Sequence, residues 1–291
     1  MTTRILFLAR YRIPHACFSL QWDHNLVDVD RTVIASPVPQ EEIWSAFQAH
    51  GIDCTDFEYI NDAVIFAQYP EVENWVFADD YRGWWLRQQA IKLAYLDLIN
   101  ADVMLMHDPD TFQLEPYSTV HADCLNLLAI KDTEQGSYRG VFEAITGIPH
   151  PSPHCYVTEL CAVRGADFQA LKRHLLNRWP QKKWLDAIIQ AVPGMPTVPP
   201  WGTGNIIKWF SEYELLGNWA VTQGSVEHQW QIRHEYDSLN KLADFTDEHT
   251  AVCDAVPDLS SSMRLTEQGT VENYAQYTEL VKERQNELRI I

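Results

Sequence analysis

ADVMLMHDPDTF, residues 101–112, is the stretch that decides the fold, because an apolar run ends abruptly in a histidine and two aspartates. Val103 to Met106 has the length and composition of a buried strand, and Pro109 cannot continue a central strand. Asp108 and Asp110 should therefore lie at the carboxyl edge of that strand, where open α/β sheets bind ligands. Such a pair is either solvated or neutralised by a divalent cation, and hard oxygen ligands suit Mg²⁺ or Mn²⁺.

The segment before this strand, residues 82–99, predicts a helix, because its apolar residues have helical spacing and no Gly or Pro follows Gly83. On a helical wheel, four residues share an arc of about 100°: Trp85, Gln88, Gln89 and Lys92. A purely structural helix rarely buries two amides and an ammonium, although a solvated face with an extended lysine stem is the alternative. The flank therefore favours a functional site at the two aspartates.

Three blocks follow one another along the chain: GWWLRQQAIKL from Gly83, HDPDTF from His107 and FSEYELLGNW from Phe210. In this order they resemble a group of bacterial and phage glycosyltransferases with the GT-A fold. Residues 149–168 are similar to that group's histidine-bearing segment before a strand, and the whole resemblance covers residues 4–220. It implies an α/β fold with a GT-A-like, mixed and mostly parallel sheet flanked by helices, a divalent metal cofactor, Mn²⁺ or Mg²⁺, and a UDP-linked sugar as donor.

Length and composition agree with one such domain. The chain has 291 residues, of which 46% are hydrophobic, so it can bury one large core. No linker, low-complexity tract or internal repeat divides it. We predict a glycosyltransferase domain at 1–236 and a C-terminal helical extension, 237–291, that packs on the same domain or pairs with another copy in a homo-oligomer.

Charge limits the choice of partners. The 40 acidic and 22 basic residues give a formal charge of −18, which opposes nonspecific attraction to nucleic acid or an anionic membrane. One dense basic segment is either a solvated helix face or a local groove for a polyanion: Lys172, Arg173, His174, Arg178, Lys182 and Lys183.

The cysteines and the hydropathy pattern bear on the compartment. Six cysteines lie far apart without a CxxC pair, which disfavours structural zinc and predicts free thiols. There is no cleavable signal and no run of 18 apolar residues, so we expect a cytoplasmic protein without a membrane span.

The resemblance also indicates how a nucleotide sugar would be bound. The loop after the first strand, predicted at Arg4 to Ala9, should hold the base and ribose, which makes Arg10 and Tyr11 stacking or phosphate-facing groups. Four further residues are predicted to contact the donor: Arg87, Gln88, Lys92 and Asp108. Neither GxGxxG nor GxxxxGK[ST] occurs, so dinucleotide and P-loop sites lose their main support.

SEYE supplies two candidate catalytic acids, Glu212 and Glu214. They would point oppositely in a strand and lie about 200° apart in a helix, so one of them should face the cleft. We favour Glu212, because Ser211 can begin a helix and place this acid in its first turn. It is a candidate general base for inversion, a ligand of sugar hydroxyls for retention, or simply a carboxylate satisfied at a helix N-terminus.

Ligands from the second half of the chain are harder to identify. A histidine often completes the metal site in GT-A enzymes, and we prefer His228 to His234 beside Asp108 and Asp110. For the acceptor we name His154 and Trp201.

The sequence therefore predicts a metal-dependent glycosyltransferase that moves a sugar from a nucleotide donor to a hydroxyl, most simply that of a saccharide. A phage enzyme that glucosylates or arabinosylates hydroxymethylated bases in DNA is an alternative, and it would use the basic segment. A catalytically silent nucleotide-sugar-binding module is a second alternative, opposed by the retained carboxylates and Lys92.

Overall fold

The computed structural model describes residues 1–23, 27–70, 72, 81–109, 111–113, 117–121, 123–131, 136–157, 160–191, 210–230 and 250–252. The predicted C-terminal extension, 237–291, lies outside these residues except for its short strand at 250–252. Its packing on the domain therefore stays a prediction.

The strands in these residues are β1 (Thr2–Phe7), β2 (Arg31–Ser36), β3 (Phe57–Asn61), β4 (Val103–His107), β5 (Thr111–Gln113), β6 (Val120–His121), β7 (Cys124–Lys131), β8 (His154–Cys155), β9 (Leu160–Arg164), β10 (Val226–Trp230) and β11 (Thr250–Val252). The α-helices are α1 (Ile13–Asp23), α2 (Gln40–Ala49), α3 (Asp62–Gln68), α4 (Tyr81–Ile99), α5 (Gly136–Thr146), α6 (Gly165–Arg178), α7 (Trp184–Ala191) and α8 (Glu212–Thr222). None of the described helices is both long and apolar enough to cross a membrane.

The main sheet has the order β3-β2-β1-β4-β9. Its first four strands are parallel, and β9 is antiparallel to β4 at the edge. The predicted class, a mixed and mostly parallel sheet flanked by helices, is confirmed. The predicted strand and helix around the aspartates are confirmed as β4 and α4, whereas β1 begins and ends two residues before the predicted range, because Arg10–Arg12 already forms a 3-10 turn.

The strand order places the site. From β1 the chain adds β2 and β3 on one side and then returns to add β4 on the other. Open α/β sheets bind ligands where the order reverses, outside the carboxyl ends of the strands. Asp108 directly follows β4 at this point, and Arg10 follows β1.

Helices cover both faces of the sheet. Alternate side chains of a strand point to opposite faces, so Ile5 packs in a core cluster with Leu93 of α4, whereas Leu6 packs in a second cluster with Phe47 of α2. Each of these side chains is fully buried, and such burial stabilises the fold by roughly 1.5–3 kcal/mol per large aliphatic side chain. The first of these clusters packs α4 against one face of the sheet.

A smaller sheet, in the order β10-β7-β6, lies in the second half of the chain. β10 is parallel to β7, and β8 pairs with the other end of β7. β11 and β5 form a short antiparallel pair, which ties residues 250–252 to the segment just after the aspartate pair.

Candidate functional site

A buried lysine brings the three sequence blocks into contact. The Nζ of Lys92, on α4, lies 2.7 Å from Oδ1 of Asp108 and 2.8 Å from Oε1 of Glu212, the first residue of α8. It also donates to the hydroxyl of Tyr213 at 3.1 Å. These four residues and Gln89 form the Lys92 cluster.

Local rules explain how each residue reaches the cluster. Gln89 and Lys92 are three residues apart on α4 and so share one face. Ser211 is the N-cap of α8, and its side chain accepts a hydrogen bond from the Glu214 N–H at 3.3 Å. The helix start predicted at Ser211 is therefore confirmed, and it fixes Glu212 in the first turn.

Lys92 is charged although it is 2% exposed. Burial alone would lower its pKa, but the carboxylates of Asp108 and Glu212 outweigh that effect and raise it above the usual lysine value. The ammonium also lies 4.5 Å from the centre of the Tyr213 ring and 5.5 Å from that of Phe7, within the range of cation–π attraction. These surroundings favour the charged form of Lys92.

Glu212 forms the innermost part of the cluster. It has no exposed surface, and burial raises the pKa of its carboxyl, an effect that Lys92 opposes and Asp108 reinforces. With its amide nitrogen turned toward Glu212, Gln89 donates to both carboxylate oxygens, Oε2 and Oε1. An acceptor hydroxyl has no open path to this carboxylate in the described geometry, and the general-base role of Glu212 stays a prediction.

Asp108 is the outermost member. Its side chain is 21% exposed, whereas Lys92 is almost completely covered. The cluster has two carboxyl groups and one ammonium, so with both carboxyls ionised it carries one excess negative charge, and Asp108 is the carboxylate that meets solvent. This is an arrangement that a cation or a hydrogen-bond donor on a ligand would satisfy.

Glu214 belongs to a different network. Its Oε1 lies 3.0 Å from Nε2 of His150, and its Oε2 accepts a hydrogen bond from the Tyr156 N–H at 2.8 Å. The Tyr156 ring lies so close to Gly217 that a Cβ there would be 2.3 Å from it. Glu214 thus attaches residues 150–156 to α8 and, at 4% exposure, is also placed poorly for a base.

The predicted donor-binding side chains are not all gathered at the cluster. Arg10 forms an ion pair with Glu42 of α2 at 2.8 Å, and Tyr11 is 48% exposed beside it. Arg87 is half-buried over the Phe66 ring. Gln88 is exposed, whereas the neighbouring amide of Gln89 is buried, so the predicted polar face of α4 lies partly in solvent and the donor contact of Gln88 stays a prediction.

The remaining predicted ligands are described only in part. Asp110 and Trp201 lie outside the described residues. The backbone of His228 lies in β10 opposite Leu127, but its side chain is outside the description. His154 is partly buried, and its N–H donates to the Ser152 hydroxyl at 3.1 Å.

The described donor groups fit a divalent metal only in part. In the described part of the chain, no three His, Cys, Asp or Glu side chains are grouped to hold a metal ion. Of the predicted ligands, Asp108 alone has a described side chain, and it fits a hard cation by its oxygen donors, its partial exposure and the excess negative charge around it. The described residues therefore supply one ligand of such a site.

The basic segment is not an open groove. The Nζ of Lys172 is paired with the carboxylate of Asp97, and a ring nitrogen of His174 lies 2.7 Å from the Thr146 carbonyl oxygen. Arg173 and Arg178 are exposed on α6. Part of the charge that a DNA acceptor would require is thus already engaged within the protein.

Sequence reasoning does not identify all the contacts of Lys92. It assigns no role to Gln89, although this residue is on the predicted polar face, and it does not single out Tyr213 or Phe7, whose rings lie near the ammonium. Tyr213 had a usable signal, because it stands between the two acids of SEYE. Of the histidines in residues 149–168, the described network uses His150 rather than His154 to hold α8. The five described cysteines are free, as predicted.

Comparisons with known proteins give structural likenesses only. No family model and no curated protein matches the sequence. Among solved structures, the galactosyltransferase LgtC in complex with donor and acceptor sugar analogues is similar at a TM-score of 0.48 and 10% identity, over 97% of this chain and 95% of that one. Mouse xyloside xylosyltransferase 1 is similar at a TM-score of 0.44 and 9% identity, over 80% of this chain and 84% of that one. Glucosyl-3-phosphoglycerate synthase from Mycobacterium tuberculosis is similar at a TM-score of 0.28 and 14% identity, over 64% of this chain and 68% of that one.

Proposed function

We propose that this chain is a GT-A-type glycosyltransferase that transfers a sugar from a nucleotide donor, a UDP-sugar, to a hydroxyl acceptor with the help of Mn²⁺ or Mg²⁺. One observation carries the proposal: the Lys92 cluster joins three separate sequence blocks and presents a partly exposed carboxylate at the switch point of the sheet. A cluster with only a structural role would not need a surplus carboxylate there.

The chemistry of glycosyl transfer suits this arrangement. The bond between the anomeric carbon and the diphosphate oxygen breaks, a bond to the acceptor oxygen forms, and the proton of the acceptor hydroxyl passes to a base or to the departing diphosphate. A cation held by Asp108, with Asp110 and His228 as its further proposed ligands, would stabilise the negative charge that develops on the diphosphate. If Asp108 is not a ligand of the cation, we propose that it contacts the donor ribose instead.

The donor would lie along the carboxyl edge from Asp108 toward β1. Tyr11 offers an exposed ring for stacking. Arg87 and Gln88 lie on α4, on the N-terminal side of Lys92. Arg10 would bind the donor only by leaving Glu42, a contact between two well-exposed side chains at 69% and 43%. Surface ion pairs of this kind contribute less than about 1 kcal/mol, so the exchange is inexpensive.

The acceptor side is proposed to include His154 and Trp201. Glu214 holds residues 150–156 against the same helix turn that carries Glu212. The His154 backbone would thereby be fixed in relation to the Lys92 cluster. We propose a saccharide acceptor, because the net charge of −18 and the internal pairing of Lys172 disfavour a polyanion.

Binding and turnover test the proposal together. Isothermal titration with UDP and several nucleotide sugars, with and without Mn²⁺, should give metal-dependent binding of a uridine nucleotide. Turnover is then measured with saccharides and with DNA that contains hydroxymethylated cytosine. Transfer to DNA would replace the saccharide assignment, binding without any turnover would favour the silent module, and no binding with any metal would contradict the proposal.

A further inference from the structure

The inner half of the Lys92 cluster is sealed from solvent. Lys92 is 2% exposed, Gln89 3%, Tyr213 3% and Glu212 0%. Asp108, at 21% side-chain exposure, is the one member with an appreciable surface. Any ligand that senses this cluster therefore contacts Asp108, and the other members act through it.

The three N–H groups of Lys92 have three partners. An ammonium has three donors and no acceptor, and the Lys92 Nζ lies within 3.1 Å of oxygens of Asp108, Glu212 and Tyr213. A direct bond from Lys92 to a diphosphate would require one of these partners to leave. Lys92 is therefore placed to orient Asp108 rather than to touch the donor.

We propose that Glu212 is a positioning residue: it holds the Lys92 ammonium against Oδ1 of Asp108, so that the exposed part of the Asp108 carboxylate is kept in place for the donor or its metal ion. This inference rests on the proposed function, in which Asp108 contacts the donor or its metal. It gives Glu212 a role in binding that differs from that of a general base.

The arrangement of charges explains why a carboxylate is needed at this place. Without Glu212, Lys92 would have Asp108 as its only anionic partner in the cluster and could draw that side chain inward. With Glu212 behind it, the ammonium is shared between two carboxylates at nearly equal distances of 2.7 and 2.8 Å. Gln89, turned toward Glu212, keeps that carboxylate in place by a further hydrogen bond.

The two roles predict different kinetics. Loss of a group that orients a ligating side chain typically costs about 10–100-fold in metal affinity or activity, so the Glu212→Gln variant should bind the Mn²⁺–UDP pair at least about tenfold more weakly. Its turnover at saturating donor and metal should stay within a few-fold of the wild type, and the pH profile of kcat should keep its shape. Loss of a general base would instead lower kcat by about 10²–10⁴-fold, leave donor binding unchanged and alter the pH profile.

The experiment measures Kd for UDP with Mn²⁺ by titration calorimetry, and kcat against pH, for the wild type, Glu212→Gln and Glu212→Asp. Glu212→Asp keeps the charge but withdraws the carboxylate by one methylene, so it should also weaken binding if position matters. Asp97→Asn is the matched control, because it removes a carboxylate that pairs with a lysine on the same helix, α4, outside the site. Thermal melts establish that each variant is folded.

Weaker binding by both Glu212 variants, with near-normal saturated turnover and control binding like the wild type, is the expected result. Unchanged binding with a large loss of kcat in Glu212→Gln would overturn the positioning role and leave the proposed function intact. No uridine nucleotide binding by the wild type would overturn the proposed function, and the positioning role with it.

Discussion

Helix α4 contributes to two groups of paired charges, and the two groups differ in their numbers of carboxylates and ammonium groups. Near its C-terminal end, Asp97 pairs with Lys172 of α6 and accepts a hydrogen bond from the Tyr69 hydroxyl. Five residues earlier, Lys92 contacts both Asp108 and Glu212. The first contact has one charge of each sign, whereas the second has one carboxylate in excess.

The difference separates a structural pair from a candidate site. The Asp97 side chain is 10% exposed and that of Lys172 18%, and the pair joins two helices near the amino end of β4. The Lys92 cluster lies at the carboxyl end of the same strand and exposes its surplus carboxylate. Uncompensated charge at a ligand-binding edge costs stability, which natural proteins accept at functional sites.

The strongest test of this comparison removes the shared cation. In Lys92→Met, Asp108 and Glu212 face each other without compensation, and breaking a buried ion pair in this way costs about 3–5 kcal/mol. We expect a loss of that size in urea unfolding, together with loss of nucleotide binding. A variant as stable as the wild type would show that the cluster is not the buried charge centre described.

Asp108→Asn should separate binding from stability. It removes the surplus negative charge but leaves Lys92 paired with Glu212, so the unfolding free energy should be unchanged or slightly higher. Metal-dependent UDP binding should fall by about 100-fold or more, as expected for loss of a direct ligand. Equal losses of stability and binding would mean that Asp108 is a structural member only.

Asp97→Asn should have the opposite effect. It leaves the Lys172 ammonium without its carboxylate and weakens the bond from Tyr69, so stability should fall by about 1–3 kcal/mol. Nucleotide binding should stay within about twofold of the wild type, since the described contacts of Asp97 are with Lys172 and Tyr69 and not with the Lys92 cluster. Urea unfolding and calorimetry on the same preparation check both statements.

A smaller effect concerns pH. Burial, and then Asp108, raise the pKa of Glu212, against the opposing effect of Lys92. A carboxyl whose folded pKa is raised contributes stability below its ordinary value of 4.5, and this contribution is lost as the pH rises through the folded pKa. In Asp108→Asn the pKa of Glu212 should be raised less. The urea midpoint of this variant should therefore decline less than that of the wild type between about pH 4.5, near the unfolded pKa, and about pH 8, well above it. An identical decline in both proteins would contradict the coupling of Asp108 to Glu212.

Local pattern predicted much of the fold and the members of the site. An apolar run before HDPD was enough for β4, helical spacing was enough for α4, and Ser211 was enough for the start of α8. These features depend on neighbours in sequence, which a single chain contains. The resemblance added the order of the three blocks.

Contacts that depend on packing could not be predicted in the same way. The Lys92 to Glu212 distance is set by how α4 and α8 lie against β4, which no spacing in the sequence encodes. A helical wheel could not decide whether Gln88 or Gln89 faces inward, because adjacent positions differ by about 100°. The pairing of Arg10 with Glu42 likewise depends on where α2 lies beside the loop after β1.

The central claim is that the surplus carboxylate of the Lys92 cluster binds a nucleotide donor with its metal ion. The most direct measurement is calorimetric titration of UDP in the presence of Mn²⁺ into the wild type, Asp108→Asn and Asp97→Asn. We predict binding by the wild type and Asp97→Asn and a loss of about 100-fold or more in Asp108→Asn. Equal binding by all three proteins, or binding by none, would contradict the claim.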